Sequence, residues 1–95
     1  MKVITIHEEN HGFIGIAATR KAAMQFLVNR GWLELGSEFY DEETEAWYKL
    51  RHILESMNIE PTLENIVEFG VSKFDDWRFW DGSFYFGEAE VYEEA

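Results

Sequence analysis

Lys2-Val-Ile-Thr-Ile-His-Glu-Glu-Asn-His-Gly-Phe-Ile-Gly-Ile-Ala17 is the stretch that commits this chain to a sheet. On either side of Glu8–Gly12 the residues alternate and are rich in β-branched side chains, the pattern of two short strands. Asn10 and Gly12 supply turn chemistry, so the segment reads as a β-hairpin. Strand side chains alternate between faces, and Ile4, Ile6, Ile14 and Ile16 are therefore expected to share one buried face.

Working outward, Thr19 is a suitable N-cap for a first helix over 20–30 that stops at Gly31, with Ala23, Phe26, Leu27 and Arg30 on one side. The segment Gly31–Tyr40 shows no decisive period and reads as a loop. Asp41 or Thr44 can cap a second helix in which Ala46, Trp47, Leu50, Ile53, Leu54 and Met57 recur at helical spacing, ending near Asn58. Pro61 and Thr62 start a third through Leu63, Ile66 and Val67. At the C-terminal end, Trp77-Arg-Phe-Trp80, Asp81-Gly82 and Ser83-Phe-Tyr-Phe86 carry a second hairpin signature, since Asp-Gly suits a two-residue type I′ turn. The last strand is expected to run on, or resume after Gly87, through Ala89, Val91 and Tyr92. The expectation is an α+β domain over residues 1–95, ordered β-β-α-α-α-β-β, with three helices on one face of a small antiparallel sheet made from the N- and C-terminal hairpins.

Composition supports a core without staples. Of 95 residues, 46% are hydrophobic and 17% aromatic, enough large side chains to dispense with metal or disulfide at a size that buries about 60–65% of the unfolded surface. There is no cysteine, which removes thiolate metal sites and suits a reducing, cytoplasmic setting. No stretch is long and apolar enough for a signal peptide or a membrane span. Nineteen acidic against eight basic residues give a net charge of −11, and nearly all the acids lie beyond residue 31. Such a surface repels phosphate, which disfavours direct nucleic-acid or anionic-membrane binding and favours basic partners. The same charge also serves solubility alone.

Catalytic signatures are sparse. His7-Glu-Glu-Asn-His11 fits the pattern His-Glu-x-x-His, in which two histidines one helical turn apart hold zinc while Glu8 acts as base. Here a β-branched run precedes it and Asn10-His11-Gly12 breaks it, so His7 and His11 are expected in a hairpin loop, with a small zinc hydrolase as the remote alternative. No serine sits in a nucleophile elbow, no glycine-rich turn opens a helix to cradle phosphate, and no calcium-loop spacing occurs. The chain is read as non-enzymatic and without a cofactor.

Two features suggest interaction instead. Nine aromatic residues lie between Phe69 and Tyr92. On a strand hairpin, pairs such as Phe79-Trp80 and Phe84-Tyr85 point to opposite faces, so one aromatic face must be covered by the domain's own loop or tail, a second copy or a foreign partner. In addition, Glu88 and Glu90 would stand about 6.6 Å apart on one strand face, near the spacing of successive phosphates, with Asp75, Asp76 and Asp81 close in sequence. Carboxylates around an aromatic platform can imitate DNA toward a basic groove, although charged edges also serve to prevent sheet-to-sheet aggregation.

His11-Gly-Phe-Ile-Gly-Ile before a short helix ending Gly31-Trp-Leu, followed by an aromatic, Glu-rich close from Trp77 to Glu94, resembles the small acidic proteins of phages and prophages in Gram-positive bacteria. Some of those proteins block host defence nucleases. The resemblance carries no functional motif, and what it implies is a partner-binding role. The expected function is thus a protein-binding domain with Trp77, Trp80 and Tyr85 as anchors and Asp75, Asp76, Asp81, Glu88 and Glu90 as steering charges. Its expected partner is a basic nucleic-acid-binding or defence protein; the alternative is a self-associating structural domain.

Overall fold

The computed structural model describes residues 1–80 and 82–92. Strands β1 (Lys2–Glu8) and β2 (Gly12–Ala17) form the expected antiparallel hairpin around a turn whose Gly12 has φ +70°. A bulge interrupts the ladder: Ile6 faces Gly15 but His7 faces Phe13, leaving Ile14 as the extra residue. One extra residue reverses the alternation of faces. Ile4, Ile6 and Ile14 therefore join the core while Ile16 is 56% exposed, which corrects the expectation of one four-isoleucine face.

Helix α1 (Arg20–Asn29) begins where the Thr19 hydroxyl accepts the Ala22 N–H at 3.1 Å. It ends at Arg30 and Gly31, after which the N–H groups of Trp32 and Leu33 donate back to the Leu27 carbonyl at 2.8 and 3.1 Å. Its buried side chains are Ala23, Met24 and Leu27. Phe26 lies over Gly15, where a Cβ would come within 2.6 Å of the ring. The missing side chain is what lets the helix approach the strand.

The segment after α1 departs from expectation. Instead of a loop and one long helix, β3 (Glu38–Asp41) and β4 (Ala46–Lys49) form a second hairpin, and α2 (Leu50–Ser56) starts only afterwards. The reason is local. The Asp41 carboxylate accepts the Glu43 N–H at 2.9 Å in an Asx turn, and Glu45 takes a left-handed φ of +52°, a break that a helix through 41–49 could not contain. Tyr40 and Trp47 then pair across the strands with ring centroids 5.4 Å apart. The predicted helical period holds from Leu50 on, because Leu50 and Leu54 are buried and Ile53 packs against them. The first free N–H groups of α2 reach the preceding loop, from Leu50 to the Ser37 carbonyl at 2.8 Å and from Arg51 to that of Leu35 at 3.0 Å.

Helix α3 (Leu63–Ser72) is capped by Thr62, whose hydroxyl accepts the Asn65 N–H. It crosses α1 with Gly70 beneath the Met24 side chain, leaving no room for a Cβ. Trp77–Trp80 is a single helical turn, α4, and not the first arm of a hairpin. The Asp76 carboxylate accepts the N–H groups of Arg78 and Phe79 at 3.1 and 3.3 Å, and the Trp80 indole donates to the Lys73 carbonyl at 2.7 Å. That N-cap and the indole anchor outweigh the turn preference at Asp81-Gly82; Gly82 takes φ +76°, and Asp81 lies outside the described residues.

Freed of a hairpin partner, β5 (Phe84–Glu90) pairs antiparallel with β1 over its whole length. The main sheet has order β2-β1-β5, so the terminal segments do build one small antiparallel sheet in an α+β domain. Helices cover the face bearing Ile6, Ala17 and Phe84, which share a core with Leu27, Leu33, Leu54, Ile66 and Trp80. Each large side chain fully buried there contributes about 1.5–3 kcal/mol. Among the described residues no helix is long and apolar enough to cross a membrane.

Candidate partner-binding cleft

Helix α3 is followed by Lys73-Phe-Asp-Asp76, and this corner stands beside β5. Phe74 stacks on Phe86 with centroids 4.4 Å apart, and Trp80 meets the same ring edge-on at 5.4 Å. Between the corner, α4 and β5 an open cleft of about 440 Å³ remains, walled by Phe74, Trp77, Trp80 and Tyr85. The Glu9 carboxylate also lines it, brought there because the Glu9 N–H continues the β1–β5 ladder to the Ser83 carbonyl at 3.1 Å. Glu9 makes no ion pair or side-chain hydrogen bond among the described residues, so an acidic group stands at an aromatic cleft with its charge uncompensated.

An adjoining depression of about 310 Å³ shares Phe74, Asp75 and Phe86 and adds Arg20 and Glu88. Here the chain holds its own cation. Arg20 forks onto the Asp75 carboxylate, Nη1 to Oδ2 at 2.7 Å and Nη2 to Oδ1 at 3.0 Å, while its guanidinium carbon lies 5.1 Å from the Phe74 centroid. Bidentate pairing and a flat aromatic face are the two means by which proteins recognise guanidinium.

The expected site residues divide accordingly. Trp77 and Tyr85, 67% and 56% exposed, stand in the cleft as anchors could. Trp80 is only 3% exposed and forms a wall, not a protruding anchor, because its indole is spent on Lys73. Asp75 is at the cleft but paired with Arg20. Asp76 is engaged as the α4 cap. Glu88 lines the second depression, and Glu90 stands 3.6 Å from the terminal amino group, opposite Lys2. The carboxylates thus fall at separate stations, Asp76 in a depression against Phe39 and Tyr40 and the others beside β5; Asp81 lies outside the described residues. Glu9 and Phe74 were not among the expected residues. Their place depends on β1 pairing with β5 some 80 positions away, for which the local sequence contains no signal.

The His-Glu-x-x-His segment occupies a strand end and a turn. His7 and Glu8 are successive residues of β1 and so face opposite ways. The His7 imidazole stacks on Tyr85 at 4.7 Å, nearly parallel, and its Nε2 is 3.1 Å from the Thr5 hydroxyl. Glu8 turns the other way, where its carboxylate is 2.5 Å from His11 Nδ1 and accepts the Asn10 N–H at 3.1 Å. The hydrogen bond with His11, assisted by that of Asn10, holds the Glu8 carboxyl below its ordinary value against the opposing effect of desolvation. A carboxylate kept ionised and engaged in this way braces a turn. The geometry that zinc hydrolysis requires, both histidines on one helical face with the glutamate free, is not formed, and among the described residues no three His, Asp or Glu side chains converge on a metal position.

Comparison of the chain with protein-family models, with curated proteins and with solved structures finds no match.

Proposed function

We propose that this chain is a non-enzymatic protein-binding domain that receives a basic segment of another protein in the cleft between the α3–α4 corner and β5. The observation that carries this reading is the open aromatic cleft with the uncompensated Glu9 carboxylate, on a chain of net charge −11. Exposed Trp and Tyr are typical anchors of interfaces, and Glu9 with the surrounding acids would steer a basic partner toward them. The resemblance to acidic phage proteins points to a nucleic-acid-binding or defence protein as that partner.

The test is capture from a nuclease-treated bacterial lysate on the immobilised protein, with a salt gradient and a parallel column of Trp77→Ala. A basic protein retained at low salt, released as salt screens the charges and retained at least about tenfold less by the variant supports the reading. Equal retention by the variant excludes the cleft, and no retention leaves the acidic surface as a solubility device. Two other readings attach to particular features. Mimicry of a nucleic acid would use Glu88 and Glu90, and adding duplex DNA to the column as competitor, with charge reversal at both positions, isolates it. Self-association would use the sheet face away from the helices, where Phe13 is 60% exposed beside Ile16 and Tyr85; light scattering on the eluted protein gives the mass that decides it.

A further inference from the structure

β5 is the end strand of the main sheet, and its hydrogen-bonding parity can be read from the ends of its ladder. The Val91 N–H donates to the Met1 carbonyl at 2.7 Å and the Glu9 N–H to that of Ser83 at 3.1 Å. In an antiparallel pair the residues that exchange bonds alternate, so Ser83, Tyr85, Gly87, Ala89 and Val91 turn their backbone groups to β1. Phe84, Phe86, Glu88 and Glu90 turn theirs away, and no other described strand pairs on that side. The two depressions described above follow this free edge, since they share Phe86 on the strand and Phe74 and Asp75 on the facing corner.

The geometry points to strand addition: an extended, basic segment of a partner protein hydrogen-bonds to the free edge of β5 and sets alternate Arg or Lys side chains against Glu9, Glu88 and the aromatic wall. This inference rests on the proposed reading of the cleft and specifies its mode. Charge selects the occupant. The edge carries Glu88 and Glu90; beside Glu88 the cation Arg20 is already neutralised by Asp75, at the far end Glu90 meets the terminal amino group at 3.6 Å, and a second copy would bring its own net charge of −11 to the same edge. Edge carboxylates oppose self-pairing of this kind and favour a strand of opposite sign. Arg20, forked on Asp75 over Phe74, shows within the molecule how a guanidinium is held beside this edge. Main-chain bonds would supply affinity and the alternate side chains specificity, as in other edge-strand complexes.

The probe is acetyl-Arg-Val-Arg-Val-Arg-Val-Arg-amide, compared with one twin N-methylated at its valines and another N-methylated at its interior arginines. All three keep the same side chains and charge. An added strand bonds through only one alternate set of its amides, so one twin should bind about tenfold or more weaker than the parent while the other stays close to it. In parallel, amide exchange should slow at Phe84, Phe86 and Glu88 when the parent peptide binds. Equal binding of all three, with unchanged exchange at those amides, overturns strand addition and leaves a cleft that recognises side chains alone. Absence of binding by any of them at low salt overturns the basic occupant itself, and the proposed reading of the cleft with it.

Discussion

The N-terminal hairpin and the segment from Phe74 to Glu90 use similar materials: apolar strand residues, a glycine at positive φ and a carboxylate bonded to nearby turn or helix groups. They are closed by different interactions. Around the first turn, Glu8 reaches forward to Asn10 and His11, and β1 and β2 meet within a few residues. In the second, Asp76 caps a helical turn, Trp80 locks it to Lys73, and β5 finds its partner in β1 at the other end of the chain. A strand pairs with whatever edge leaves fewest backbone groups unsatisfied, and the inner edge of β1, flanked by a buried Ile6, offers a longer ladder than four residues of a local hairpin. The same choice creates the cleft. A local hairpin would have put Trp80 and Phe84 on neighbouring strands, whereas the helical turn swings Trp77 outward and leaves β5 with one edge free.

The largest effect should come from the residue common to both regions. Ile6 is fully buried on the central strand, opposite Gly15 on one side and Phe86 on the other. Ile6→Ala should lower unfolding stability by about 2–5 kcal/mol, measured by urea denaturation. A loss under about 1 kcal/mol would mean that β1 does not join the two regions into one cooperative core.

A smaller effect separates them. Asp76→Ala removes the α4 cap and should cost about 0.5–2 kcal/mol, with a change in the near-ultraviolet signal of Trp80 that Ala substitutions in the first turn do not produce. If Asp76→Ala is neutral, the indole bond to Lys73 alone holds the turn, and the residual preference of Asp81-Gly82 for a hairpin is weaker than supposed.

What was legible in the sequence follows the same division. Where periodicity, capping and contact were all local, as in β1, β2, α1 and α3, the residues themselves state the element and its bounds. Residues 41–49 misled because Ala46, Trp47 and Leu50 fit a helical spacing while the decisive information lay in an Asx turn at Asp41 and a left-handed Glu45. At Trp77–Phe86 the pair Asp81-Gly82 signals a hairpin turn, but Asp76 is an equally local signal, a cap for a helical turn, and it prevails. The candidate site divides similarly. Trp77 and Tyr85 are identifiable as excess aromatics, yet Glu9 and Phe74 enter the cleft only through the β1–β5 pairing, and Trp80 is no protruding anchor because its indole N–H is held by the Lys73 carbonyl and its ring is buried.

The smallest effect is confined to acid and concerns the first turn. Glu8 is nearly buried and its carboxyl is held below the ordinary value of 4.5 by the hydrogen bond with His11 and the Asn10 N–H. Its protons therefore bind more readily to the unfolded chain than to the folded one. The stability this provides is fully present above about pH 4.5 and is lost as pH falls through the lowered folded value. Glu8→Gln abolishes the ionisation but keeps a side chain of similar size. The stability difference between wild type and Glu8→Gln, followed by urea denaturation from pH 7 to pH 2.5, should thus be constant near neutrality and close progressively below pH 4.5. A difference unchanged down to pH 2.5 would show that Glu8 braces the turn by packing and not by charge. The two regions would then be held alike, by shape and neutral hydrogen bonds, and the contrast between an ionically braced hairpin and a capped helical turn would disappear.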